Sequence, residues 1–286
     1  MMNRNFKYRF GTVDYDLSSR THVMGILNVT PDSFSDGGRY LNIEQAIEHG
    51  QRLAEDGADF IDVGGESTRP GSESVSIEEE IRRVIPVIES LAQKIGVPIS
   101  IDTYKSDVAE AALQVGATIV NDISAMTFDV NMSSIVAKHQ ASVVLMHIKG
   151  TPKTMQMNPS YKNVTEDVKQ FLREQVEKAI KANIKQIIID PGIGFGKKFE
   201  HNIKLLRELK MFTSLGHPLL VGVSRKSFLG TILDLPPNER MEGTTAAVTA
   251  SILNGANIIR VHDVKEMKRV AMVSDALKSI NFPEMP

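Results

Sequence analysis

Apolar residues in this chain gather into eight short runs, each ending in a polar residue or leading straight into a polar loop. They are HVMGILN ending at Asn28, FIDVGG at Gly65, PISIDT at Thr103, TIVNDIS at Ser124, SVVLMH at His147, QIIIDPG at Gly192, LLVGVSR at Arg225 and IIRVHD at Asp263. Continuous Val, Ile and Leu suit strands buried on both faces of a parallel sheet. Between these runs the spacing turns helical. Residues 164–184 place Val168, Phe171, Leu172, Val176, Ala179 and Ile180 on one stripe, with Glu and Lys on the other face. Ser76 and Glu79 predict a capping box that opens SIEEEIRRVIPVIESLAQKIG, with Pro86 a site for a kink and Gly96 the stop. SDVAEAALQVGA and TTAAVTASILNGA also close on glycine before the next run.

Eight strand-helix units within roughly 250 residues, with no linker or shift of composition between them, predict one α/β domain over residues 1–286. Its architecture is a single (β/α)8 TIM barrel. An open doubly wound sheet is the alternative. The leading segment FKYRFGTVDYDLSSR alternates around Gly11 and predicts a β-hairpin plugging the N-terminal mouth of the barrel.

Composition narrows the function classes. The chain has 286 residues, 42% hydrophobic and 24% charged, with 33 basic against 35 acidic residues and a formal charge of -2. That balance provides no overall basic field for nucleic acid, so any anion site must be local. The absence of cysteine excludes disulfides, thiolate metal sites and cysteine nucleophiles, and suits a reducing compartment. The start MMNRNFKYRFG has no apolar signal core, and no run approaches the roughly 18 apolar residues of a membrane span. A cytoplasmic protein is expected. Asn163 matches a glycosylation acceptor pattern, for which a polar helix start is the simpler explanation.

Chemistry concentrates where the runs end, because the C-terminal strand ends of such a barrel and the loops after them converge on one mouth. Those positions carry Asn28, Asp102, Asn121, Asp122, His147, Asp190, Lys226, Arg260 and His262, together with the polar stretch DVGGESTRPG. Individually these residues could cap helices, hold turns or pair with one another. As a set, buried charges cost several kcal/mol unless something uses them. Asp102, Asn121 and Asp190 suit the edge of a planar nitrogen heterocycle, an aspartate accepting two parallel N–H bonds from an aminopyrimidine. Met146 and Phe195 offer faces for the ring. Asn28, Thr68, Arg260 and His262 suit an anion such as phosphate, with a divalent cation held by oxygen ligands. The loops NVTPDSFSDGGRY and ESTRPGSES, rich in glycine and serine, could serve as lids or as solvated connectors. GIGFGK (Gly192 to Lys197) lacks the spacing of a phosphate loop and reads as a strand-to-helix turn. His147, His217 and His262 lack the spacing of a zinc site.

The segments MGILNVTPDSFSDGG (Met24 to Gly38), DVGGESTRPG, SIDTYK, NDIS, LMH, DPGIGFGK, SRKSF and RVHDV, in this order from about Val23 to Met267, resemble the bacterial dihydropteroate synthases, the sulfonamide targets of folate biosynthesis. The resemblance implies condensation of a dihydropterin pyrophosphate with 4-aminobenzoate to dihydropteroate and pyrophosphate, assisted by Mg²⁺. It implies pterin binding by Asp102, Asn121, Asp190 and Lys226, lined by Met146 and Phe195, with Asn28 reaching the metal. Asn28, Thr68, Arg260 and His262 would meet the pyrophosphate, and Phe34, Thr68, Pro70, Lys226 and Ser227 the aminobenzoate or a sulfonamide, with Arg69 also among the substrate-binding residues. The implied catalytic set is Asp102, Lys226, Arg260, His262 and Asp36, with Asp32 the alternative loop aspartate. A homodimer through outer helices near the C-terminus is also implied. The rivals are a pterin-binding module of corrinoid-dependent methyltransferases, a Schiff-base aldolase using Lys226, and a non-catalytic paralogue that binds pterin.

Overall fold

The computed structural model describes residues 5–30 and 39–278. Strands β3 (His22–Asn28), β4 (Phe60–Gly64), β5 (Ile99–Asp102), β6 (Ile119–Asp122), β7 (Ser142–Met146), β8 (Ile187–Asp190), β9 (Leu220–Val221) and β10 (Ile258–Val261) form one parallel sheet in the order β8-β7-β6-β5-β4-β3-β10-β9. A parallel bridge between Ile189 and Leu219 joins its two edges, so the sheet closes into the expected (β/α)8 TIM barrel. The layer outside it consists of α1 (Arg39–Glu55), α2 (Ile77–Lys94), α3 (Ser106–Gln114), α4 (Met132–Lys138), α5 (Val164–Lys181), α6 (Phe199–Arg207), α7 (Ser227–Leu233), α8 (Met241–Leu253) and α9 (Val264–Lys278). None of these helices is long and apolar enough to cross a membrane.

The barrel core follows from the two-residue period of a strand. Its lower layer is Met24, Phe60, Ile119, Val144, Ile188, Leu220 and Ile258, all fully buried. The predicted hairpin, β1 (Lys7–Phe10) and β2 (Val13–Asp16), turns at Gly11 with φ +60 and stops this end. Phe10 packs edge-on to Phe60 at 5.1 Å between ring centres, and the Tyr8 hydroxyl donates to the Ile187 carbonyl at 2.8 Å. Below the apolar layer, Asp59 receives Arg20 at 2.7 Å, Lys268 at 2.9 Å and the backbone N–H of Val23 at 2.8 Å.

The helices match the sequence pattern with two differences. α2 runs unbroken through Pro86, and Ser76 caps it by accepting from the Glu79 N–H, but the Glu79 carboxylate pairs with Arg82 and Arg83 instead of completing a capping box. Ile180, expected on the buried stripe of α5, is 56% exposed at the last turn. Asn163 accepts from the Thr165 N–H as the cap of α5, the polar helix start foreseen for it.

Candidate active site

Two residues above each member of the apolar layer, the barrel interior changes character. The same inward phase brings Ile26, Asp62, Asp102, Asn121, Met146, Asp190, Gly222 and Arg260 to the C-terminal mouth, since side chains i and i+2 share a face. A small cavity opens there, lined by Thr68, Asp102, Asn121, Ile123, Met146, Asp190, Ile193, Phe195, Gly222, Lys226 and Arg260. Strand parity also explains which polar strand ends stay out. Asp122 has the opposite phase and is spent in its own turn, accepting from Ser124 and the Met126 N–H. His147 has the opposite phase to Met146 and is buried against Lys197, whose Nζ lies 2.9 Å from His147 Nδ1. Neither lines the cavity.

The charges in the mouth form one connected group. Arg260 donates through Nε to Asp62 at 2.6 Å and through Nη2 to Asp102 at 2.7 Å, while Asn121 Nδ2 donates to the same oxygen of Asp62 at 2.9 Å. Asp62 is fully buried, and its other oxygen has no partner among the described residues. Burial and the Asp62 charge push the Asp102 carboxyl up to about 7 despite Arg260. Asp190 rises to about 6 through burial, partly offset by the Gly192 N–H it accepts at 2.7 Å. Burial and Arg260 push Lys226 down to about 8, and its ammonium lies 4.1 Å from the centre of the Phe195 ring. Asp62 and Asp102 thus share the single guanidinium of Arg260, and burial makes Asp102 and Asp190 resist ionisation. Such a site favours an electron-poor, N–H-rich guest.

Gly192 shows how the pocket floor is built. Its φ is +66, and a Cβ there would fall 2.0 Å from the His147 carbonyl oxygen, so only glycine lets the chain turn under Asp190. GIGFGK is indeed a strand-to-helix turn. Lys197, 2% exposed, ties that turn down by donating to the His147 and Phe195 carbonyls.

The opposite wall is the segment from Gly65 to Ser76. Glu66 at its start accepts from the Val75 N–H near its end, and Lys105 joins Glu66, Glu80 and the Val75 carbonyl at 2.5–2.6 Å. This clasp fixes the base and leaves Arg69 and Pro70 exposed, while Thr68 enters the cavity lining. The tip also meets the loop after β7, through the Gly71 N–H on the Pro152 carbonyl and a Glu73–Lys153 ion pair. Ser227 opens α7 on the rim and is exposed.

His262 and Asn28 sit beside the cavity. Burial and Arg260 push the His262 imidazole down to about 3. Asn28 ends β3, half-buried, with its Oδ1 facing the same gap beside Gly64 as Asp102. Among the described residues no three His, Cys, Asp or Glu converge as a metal site. Phe34, Asp32 and Asp36 lie outside the described residues.

Sequence reasoning placed Asp62 only within the polar stretch at the mouth, without a partner or a role, and passed over Lys197 and the Glu66–Lys105 clasp. Asp62 had a readable signal, a carboxylate two residues after Phe60 inside a strand with no exposed position. Lys197 and Lys105 had none, because the His147, Glu66 and Glu80 side chains they meet are 25 or more positions away.

A family model described as pterin binding enzyme matches residues 24–262. A dihydropteroate synthase of Synechocystis sp. is 50% identical over 270 residues, spanning 93% of each chain. A Xanthomonas albilineans dihydropteroate synthase structure with 4-aminobenzoic acid superposes with a TM-score of 0.91 at 41% identity, covering 97% of this chain and 100% of that one. A Yersinia pestis dihydropteroate synthase in complex with a sulfonamide drug superposes with a TM-score of 0.90 at 43% identity, covering 95% of this chain and 99% of that one.

Proposed function

The chain belongs to the pterin-binding enzyme family, and we propose that it works in that family as a dihydropteroate synthase, with all 286 residues forming one pterin-binding domain. The reaction joins a dihydropterin pyrophosphate to 4-aminobenzoate, releasing pyrophosphate. One observation carries the reading beyond likeness: Asp102 and Asp190 line a single cavity with Asn121, Arg260 and Lys226, while the buried Asp62 shares Arg260 with Asp102.

The pterin takes the floor of the pocket. Asp190 and Asp102 accept its ring N–H groups, Asn121 serves the ring edge, and Met146 and Phe195 cover its faces. The C–O bond to pyrophosphate breaks first, leaving a delocalised cation on the pterin methylene. Carboxylates fixed in a low-dielectric pocket stabilise that charge without reorganising. The aminobenzoate nitrogen then forms the new C–N bond and loses one proton. No protein nucleophile takes part. His262, Thr68 and the remaining N–H groups of Arg260 face the departing pyrophosphate. Because Asp62 and Asp102 already hold Arg260, it serves both halves of the site rather than the anion alone. Thr68, Arg69, Pro70, Lys226, Ser227 and Phe34 surround the aminobenzoate and any sulfonamide that competes with it.

A single amide at Asn28, which makes no side-chain hydrogen bond among the described residues, fits Mg²⁺, a cation that keeps waters and takes most of its other oxygens from phosphates. When bound, Mg²⁺ would neutralise charge on the leaving group. Asp36 of the first loop is assigned to the same catalytic set. Exposed Met272, Val273 and Leu277 on α9 support a homodimer through that helix. A cysteine-free chain supports a cytoplasmic setting.

Lys226 rests against Phe195 beside Arg260, where cation stacking explains its placement without a Schiff base. The reading is tested by calorimetric titration of 4-aminobenzoate in the presence of a pterin and Mg²⁺. Binding that requires pyrophosphate is the expected result, because the trapped anion completes the second pocket. Equal binding with and without it would favour a pterin-binding module.

A further inference from the structure

Hydrogen-bond accounting around His262 assigns its tautomer. Ser224 Oγ lies 3.0 Å from His262 Nδ1 and accepts from the His262 backbone N–H at 3.3 Å. A hydroxyl has one proton to donate. The backbone N–H already donates into this oxygen, and Nδ1 is the only acceptor that the Ser224 hydroxyl meets among the described residues. Ser224 is 4% exposed, so solvent offers little competition. Its proton therefore goes to Nδ1, which must present a lone pair, and the proton of the neutral ring is left on Nε2. The ring is neutral because burial disfavours its charge and the Arg260, Arg225 and Lys226 cations outweigh Asp263. Asp263 is itself held by Arg225 at 2.5 Å and 3.1 Å. Nε2 has no partner among the described residues.

We propose that Ser224 is a positioning residue that locks His262 as the Nε2–H tautomer, so that the imidazole offers the departing pyrophosphate a neutral donor. The role in turnover rests on the synthase reading. The other tautomer would turn a lone pair toward phosphate oxygens that are themselves acceptors, replacing an attraction with a repulsion. A neutral donor also leaves most of the anion's charge to Arg260, so His262 adds direction rather than a second full charge. Nothing in the local motif SRKSF distinguishes Ser224 from Ser227, and only the fold brings Ser224 to the residue after β10.

The test begins with long-range proton-nitrogen NMR of protein labelled at histidine, near neutral pH, with His262→Gln used only to assign the signal. We expect a pyridine-type Nδ1 and a pyrrole-type Nε2 at His262. The opposite pattern overturns the assignment, without involving any variant of Ser224. Ser224→Ala should then mix the tautomers and lower kcat about ten- to a hundredfold, the loss typical when a group that orients a working histidine is removed. Pterin affinity and the KM for 4-aminobenzoate should stay within about twofold, and Ser224→Thr, which keeps the hydroxyl, should restore most of the rate. Mixed tautomers with unchanged kcat would overturn the catalytic role. A wild-type protein that does not turn over the dihydropterin pyrophosphate would refute the synthase reading instead, and the spectrum would still decide the tautomer.

Discussion

The barrel carries a buried acid-base cluster at each end, and the two are built on opposite terms. At the N-terminal end one carboxylate, Asp59, faces two cations, Arg20 and Lys268, and a backbone N–H. Burial alone would raise its carboxyl, but these partners together hold it below the usual carboxylate value. At the C-terminal mouth Asp62 and Asp102 share Arg260, and burial drives Asp102 and Asp190 up despite the nearby cations. An oversupplied carboxylate strengthens the fold, whereas undersupplied ones store a cost that a suitable guest can relieve. The same residue type serves structure at one end and, in the proposed reading, binding at the other.

The largest effect should come from the satisfied end. Asp59→Ala leaves two cations and the Val23 N–H without their acceptor, and removing one partner of a buried pair costs roughly 3–5 kcal/mol. Arg20 is 44% exposed, so the lower end of that range is expected. Urea unfolding should show the loss, and any folded fraction should bind pterin normally.

Next in size is Asp190→Ala, which should weaken pterin binding by about 2–3 kcal/mol, roughly thirty- to a hundred-and-fiftyfold in Kd, as ring N–H groups lose a buried acceptor. Affinity within threefold of the wild type would remove Asp190 from the site. Asp190 also holds the Gly192 N–H, so part of the loss will be lost turn geometry.

The two ends should also differ in the sign of their pH dependence. Asp59 has a depressed carboxyl, so its stabilisation is fully present above the unfolded value near 4 and is lost as pH falls through its lower folded value. Asp102 titrates at about 7 in the free protein. The folded state therefore binds the extra proton, and stability contributed here falls as pH rises from about 4 to about 7. Asp102→Asn should remove the part of that decline nearest pH 7 in a pH series of unfolding curves, leaving the part from Asp190, raised to about 6. A decline identical in Asp102→Asn and the wild type would place Asp102 in the satisfied class.

The smallest effect is expected at the lid tip. Glu73→Ala breaks an exposed pair with Lys153, 75% and 63% exposed, and should change stability by less than about 1 kcal/mol. A larger loss would mean that the contact between the segment 65–76 and the loop after β7 depends on this pair rather than on the Gly71–Pro152 bond.

Most of this contrast was legible in the chain before folding. Eight apolar runs announce the barrel, and the alternation around Gly11 announces the plug, because both patterns are local. Asp102, Asn121, Asp190 and Arg260 were legible as well, because each ends or nearly ends a run. Sharing a cation was not. Asp62 and Arg260 lie 198 positions apart, and only barrel closure makes them neighbours. Strand parity was the missing step for Asp122 and His147, which end runs as plainly as Asn121 but face outward. Ile180 shows the converse, a residue that fits the helical stripe but falls where the last turn of α5 runs into solvent.

The most direct test compares Asp190→Asn with Asp59→Asn, by calorimetric titration of the dihydropterin pyrophosphate beside a thermal melt of each protein. We expect Asp190→Asn to lose most of its pterin affinity while melting near the wild-type temperature, and Asp59→Asn to bind like the wild type while melting well below it. Loss of affinity in Asp59→Asn, or of melting temperature alone in Asp190→Asn, would contradict the division of the barrel into a structural end and a binding end.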